Sequence, residues 1–225
     1  MTTFAPILAA AVARAGDEAV LRADLKQPEP PEGLAMVGDD RYLSLMTRRI
    51  FRAGLQHRMV DARWPAFEAA FADFDLDQTA ALDEGDIKRL TQDESLIRHP
   101  RKLAAVRSNA IAMQSIREEF GSFGVWLARW PEDEIVELWL ELNQRFSQLG
   151  GNSGPAFLRM AGKDTFLLTD WVMAGLRQWQ AHPGPFKAKT AQREVQVIFN
   201  DWADEADEPL SVLSQILSRS IGELD

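Results

Sequence analysis

The 225-residue chain has no cysteine, three histidines and a single tyrosine. Without cysteine there is no disulfide, no iron–sulfur cluster, no thiolate zinc and no cysteine nucleophile, and the scattered histidines form no sequence-local zinc pattern. Chemistry falls to carboxylates, arginines, hydroxyls and aromatics. Long apolar runs are missing too: no window approaches the roughly 20 uncharged apolar residues of a bilayer span. Residues 1–15 lack the basic start and continuous hydrophobic stretch of a secretory signal. Membrane insertion and export are therefore not expected, and a cytoplasmic location is. Strand-like alternation is absent throughout, and so are internal repeats and low-complexity tracts.

What is present is a chain 46% apolar and 26% charged, enough for a full core in one large domain or two small ones. Its formal charge of −9 argues against nucleic acid, because phosphate binding relies on lysine and arginine. The distribution reverses that reading. Residues 1–40 carry 3 basic and 7 acidic side chains, 131–144 none and 5, and 200–225 one and 7. The remaining segments, 41–130 and 145–195, are together net +6, so a basic face on an acidic body is available.

Prolines 28, 30 and 31 make 25–40 an expected extended linker after one short Ala-rich helix. The folded body then runs over 41–225. There the apolar spacing is helical: Tyr42, Leu45, Met46, Ile50 and Ala53 share a face, as do Leu103, Val106, Ala110, Met113 and Ile116, and Ile135, Leu138, Trp139 and Leu142. Pro65, Pro100, Pro131, Pro155 and Pro209 sit where helices can begin. The expectation is an all-α fold of eight to ten short helices. The acidic tail, Asp201 to Asp225, contributes amphipathic helices over 192–203 and 209–220.

Three segments could carry chemistry. Asp73 to Glu84 places carboxylates at loop positions 1, 3, 5 and 12 of a calcium EF-hand, but Gln78 stands where the turn needs glycine, so aspartates capping short helices are the simpler reading. Gly150, Gly151, Asn152, Ser153 and Gly154 form a glycine-rich turn before a helix opening at Pro155. Backbone N–H groups and the helix dipole suit it to phosphate, with an ordinary tight turn as the alternative. In the third, Thr169 is a candidate N-cap that puts Asp170 in the first turn of a helix, where the dipole stabilises an acid whatever else it does.

Several stretches together resemble the DNA-3-methyladenine glycosylase I family of helix-hairpin-helix glycosylases. They are Phe51-Arg52-Ala53-Gly54-Leu55, Phe67-Glu68-Ala69-Ala70-Phe71 with Phe74-Asp75, Asp86 to Asp93, Leu96 to His99 with Lys102, Asn109-Ala110, Gly121-Ser122-Phe123, and the glycine turn with Gly162-Lys163-Asp164. The similarity extends from about Tyr42 to the chain end. It implies a monomeric enzyme of base excision repair that flips an alkylated purine such as 3-methyladenine out of double-stranded DNA and hydrolyses its N-glycosidic bond. On this resemblance Gly54 and Leu55 fill the gap left by the base, and Phe51, His57 and Trp64 stack on it, core packing being the alternative for Phe51 and Trp64. Residues 147–170 form the hairpin-helix region. Its glycine turn, with Lys163, Arg98, Arg101 and Lys102, holds the phosphate backbone, and a monovalent cation seats on its carbonyls. Asp170 assists bond cleavage. Three departures stand out. The family's zinc ligands are missing, Arg49 replaces a glutamate that recognises the cationic base, and a working Asp170 belongs more to the wider superfamily. An inactive damaged-DNA-binding module of the same fold is the alternative reading, and a lone calcium hand the third.

Overall fold

Helical spacing builds the segment around Tyr42 as the sequence suggests. Tyr42, Leu43, Met46, Ile50 and Phe51 are buried on one side of a helix that carries Arg41, Arg48 and Arg52 on the other. The computed structural model describes residues 2–222. In chain order its α-helices are α1 (Ala5–Ala15), α2 (Glu18–Ala23), α3 (Pro31–Met36), α4 (Asp39–Arg52), α5 (His57–Ala62), α6 (Trp64–Ala70), α7 (Leu76–Ala81), α8 (Glu84–Leu90), α9 (Pro100–Phe120), α10 (Phe123–Ala128), α11 (Ile135–Arg145), α12 (Ser153–Ala161), α13 (Asp170–Gln178), α14 (Lys189–Ala206) and α15 (Leu210–Arg219). Two 3-10 turns cover Ala72–Phe74 and Glu132–Glu134. No strand occurs among the described residues, and the fold is all-α. None of the described helices is long and apolar enough to cross a membrane.

The helices are more numerous than their apolar periodicity suggests. The N-terminal stretch holds two helices rather than one, because Gly16, at φ 87°, ends α1 and the Asp17 carboxylate accepts the Ala19 N–H at 2.6 Å to open α2. The expected extended segment 25–40 contains α3. Pro31 lies in its first turn, where a missing N–H is no loss, so only the stretch before it is barred from helix. The Tyr42 hydroxyl donates to the Leu34 carbonyl at 2.7 Å and fastens α3 to α4. A Cβ on Gly124 would sit 2.6 Å from that same carbonyl oxygen; α10 approaches the α3 backbone this closely because the residue is glycine.

The chain divides into two contact units, Met1–Glu29 with Pro131–Leu138 and Asp164–Asp225, and Pro30–Trp130 with Trp139–Lys163. Neither coincides with a division at residue 40. In the first, α1, α14 and α15 close on Phe4, Ile7, Val195, Phe199, Trp202, Leu213 and Ile216. Phe166 stacks on Phe199 at 4.4 Å, and the Asp164 carboxylate accepts the Leu210 and Ser211 N–H groups at 2.9 and 2.8 Å, capping α15. The tail thus completes a core; its last residues, 223–225, lie outside the described residues.

The second unit is built around α4, which packs on α5, α9, α10 and α12. Phe51, Trp64, Phe67, Phe71 and Phe74 form a column of ring contacts along one side. Tyr42, Phe123, Phe146 and Phe157 fill the other.

Candidate functional site

The C-terminal end of α4 is closed by charge. Ala53 leaves the helical region and Gly54 turns the chain at φ 77°, a conformation that favours glycine. From α9 the Lys102 ammonium donates to the Ala53 carbonyl at 2.7 Å and lies 5.8 Å from the Phe51 ring centroid. On the other side Asp61 of α5 accepts from Arg48 at 2.9 Å and from Arg52 at 2.7 Å, and those arginines hold its carboxyl below the usual carboxylate range. The Gly54–Leu55 turn is therefore fixed at its base while Gly54 itself is exposed.

Lys102 consequently does not stand where a phosphate contact was expected. It is 8% exposed, because its ammonium satisfies carbonyls that the helix end leaves open. Phe51 is fully buried and meets Phe67 edge-on at 4.7 Å. Trp64 stacks on Phe67 and Phe74 and donates its Nε1–H to Glu68 at 2.9 Å. Both rings serve the core, whereas His57, at the start of α5, is exposed. Arg49 is half-buried with its Nε closed off from solvent and no partner. Burial, and after it Arg52, lowers its pKa; burial and then Arg49 do the same to Lys102.

The glycine turn joins α11 to α12, which begins at Ser153 rather than Pro155; Pro155 is third in the helix, still within the turn that needs no N–H acceptor. Of the N–H groups of Gly151, Asn152, Ser153 and Gly154, the donors such a turn would offer to phosphate, two are turned inward: Ser153 donates to the Gly150 carbonyl at 3.2 Å and Gly154 to the Leu149 carbonyl at 3.1 Å. Gly154 must stay bare, since a Cβ there would press on Leu149 O at 3.0 Å. Gly151 and Asn152 remain exposed at the tip. The turn is anchored by Asn109 of α9, fully buried, whose Oδ1 accepts the Ser147 N–H at 2.7 Å and whose Nδ2 donates to the Ser147 carbonyl at 3.2 Å. No role for Asn109 follows from sequence, because its partner is backbone 38 residues away.

Lys163, expected beside the turn on phosphate, is 1% exposed and donates its ammonium to the Trp130 carbonyl. Arg98 and Arg101 are exposed, Arg98 with a loose contact to Glu94 at 3.7 Å. All of these groups lie in the second unit.

Asp170 belongs to the first unit. It is exposed in the opening turn of α13, whose cap is Thr169, accepting the Val172 N–H at 3.2 Å. The calcium-hand segment resolves into caps: Asp75 accepts from Gln78 N–H at 2.9 Å, and Asp83 forms a capping box with Asp86. Asp77 instead binds Arg117 at 2.6 Å and Gln114 at 2.8 Å. Its carboxylates thus cap helices and pair with α9 instead of converging on a cation. Among the described residues no three His, Cys, Asp or Glu cluster to hold a metal. His57 is exposed, His99 caps α9 through Nδ1, and His182 faces Glu194, so the residues present do not fit a zinc centre.

The fold has counterparts among solved structures. One is a variant of 3-methyladenine DNA glycosylase I in complex with 3-methyladenine, similar at TM-score 0.53 and 23% identity over 68% of this chain and 89% of that one. Another, 3-methyladenine DNA glycosylase I from Staphylococcus aureus, gives TM-score 0.51 and 24% identity over 64% and 84%. Likeness at this identity speaks for the fold. In sequence, the family described as methyladenine glycosylase matches residues 33–148, just over half of the chain, taking in α4, α5, the Gly54 turn and α9 and stopping short of the glycine hairpin and Asp170. With more than half of its residues matched, the chain belongs to the methyladenine glycosylase family.

Proposed function

We propose that the protein is a monofunctional DNA glycosylase that flips a damaged purine out of duplex DNA and hydrolyses its N-glycosidic bond, leaving an abasic site. The observation that carries this reading is the family match over 33–148, which brackets α4 and the Gly54–Leu55 turn. A stacked base is out of reach of any side chain, so the enzyme must extrude it and fill the gap. Leu55, behind an exposed glycine on a turn held by Lys102, is suited to that wedge. Arg49 and His57 line the base side, and Phe51 and Trp64 back them from the core.

On the DNA side, the tip of the glycine hairpin with Arg98 and Arg101 meets the phosphate backbone, and such contacts are indifferent to base sequence. The carbonyls of the glycine hairpin would hold a monovalent cation, which would supply positive charge toward the phosphate backbone. Asp170 stabilises the oxocarbenium-like sugar or orients the attacking water. We take the working form to be a cytoplasmic monomer. The alkylated purines, 3-methyladenine first, are the initial substrates to test. The experiment incubates the protein with duplexes carrying 3-methyladenine, 7-methylguanine, hypoxanthine or uracil and then applies alkali. Strand cleavage at the modified position is expected; no cleavage on any of them removes the enzymatic reading. Because Arg49 repels a cationic base, a DNA-binding module without catalysis is the second reading. It predicts binding to an abasic-analogue duplex that Asp170→Asn leaves unchanged, with no turnover.

A further inference from the structure

Four cations, Arg48, Arg49, Arg52 and Lys102, gather at the end of α4, and among the described residues only one carboxylate pairs with any of them. Asp61 is shared by Arg48 and Arg52, and Lys102 rests on the carbonyls of Phe51 and Ala53. Arg49 has neither: among the described residues its guanidinium makes no ion pair or hydrogen bond, and its Nε is buried without a partner. A donor taken out of water with nothing to accept from it is unfavourable; the terminal Nη groups of the same guanidinium, unpaired among the described residues and not closed off, are the donors left to a ligand.

Resting on the glycosylase reading above, we infer that Arg49 selects the base, and that the preferred substrate is a neutral purine with two acceptors on one edge, the O6 and N7 edge shared by guanine and hypoxanthine, rather than a cationic methylpurine. The guanidinium fork matches that edge through two parallel N–H donors. Charge points the same way. A methylpurine cation would enter beside Arg49 with Lys102 close behind, like charges facing each other in a partly buried place.

The bond-breaking step favours the same base. When the C1′–N9 bond of a neutral purine breaks, its electron pair goes to the base, which develops negative charge over its ring nitrogens and O6. The oxygen of water bonds to C1′, and the proton that this water sheds ends on the base, giving the free purine and an abasic sugar. A fixed cation at O6 and N7 stabilises that growing charge. A methylpurine cation leaves as a neutral molecule, so the same cation gives it no such help.

The test compares single-turnover excision of hypoxanthine and 7-methylguanine from otherwise identical duplexes by the wild type, Arg49→Ala and Arg49→Glu, with thermal unfolding of each protein alongside. The wild type is expected to favour hypoxanthine by at least about tenfold, Arg49→Ala to lose the preference and Arg49→Glu to reverse it. Faster loss of 7-methylguanine from the wild type overturns the inference even if neither variant folds, and so does an order unchanged in a folded Arg49→Glu. Excision of 3-methyladenine alone would also overturn it while leaving the glycosylase reading in place. Excision of no base at all removes both.

Discussion

Asp170 and Asp39 show how differently two carboxylates of one chain behave. Asp170 is exposed beneath a threonine cap, and asparagine fits the same helical turn, so Asp170→Asn should leave the melting temperature nearly unchanged while lowering single-turnover excision by about a hundredfold. Equal rates would reduce Asp170 to a helix-end charge. Asp39 is a structural acid: burial pushes its carboxyl above the usual range, opposed by the bond it accepts from the Phe123 N–H at 2.8 Å. A carboxyl with a raised folded-state pKa favours the folded state most below the unfolded value of about 3.9 and loses that contribution as pH rises through the folded one. Asp39→Asn keeps an acceptor for Phe123 and removes the buried charge, so at pH 7 it should match or exceed the wild type in a urea titration, the gain fading toward pH 3. Asp39→Ala leaves the N–H unpaired and should cost about 1–3 kcal/mol at either pH.

Among the elements, α4 and the turn before α12 were readable in the sequence. Tyr42, Met46 and Ile50 have helical spacing, and three glycines within five residues announce a tight reversal. What holds them was not readable. Lys102 and Lys163 look like surface charges, yet each binds a main-chain carbonyl, and carbonyls carry no sequence signature. Pro31 was misleading for the opposite reason, since the residue that breaks a helix interior also opens α3. The aspartates of 73–84 fit two geometries until the Asp83–Asp86 box shows which is used. Two variants test the elements. Asn109→Leu strands the Ser147 N–H and carbonyl, so stability should fall by about 2 kcal/mol and affinity for duplex DNA should drop with the loosened hairpin; full affinity would separate that hairpin from DNA. Asp164→Ala uncaps α15 and should cost about 2–3 kcal/mol in the same titration.

For the whole molecule, the formal charge of −9 conceals a middle that is net positive, and the proposed association with DNA would draw on that uneven distribution. Arg98→Ala and Arg101→Ala should each lower the slope of log K against log salt by about one unit. Lys163→Met should leave the slope alone, because its ammonium faces Trp130. Base selection by Arg49 is tested in the wild-type protein alone by the order of single-turnover excision rates across hypoxanthine, 3-methyladenine and 7-methylguanine in matched duplexes. Hypoxanthine should leave fastest; a methylpurine leading the order, or no excision of any of the three, would rule out a glycosylase that reads its base through Arg49.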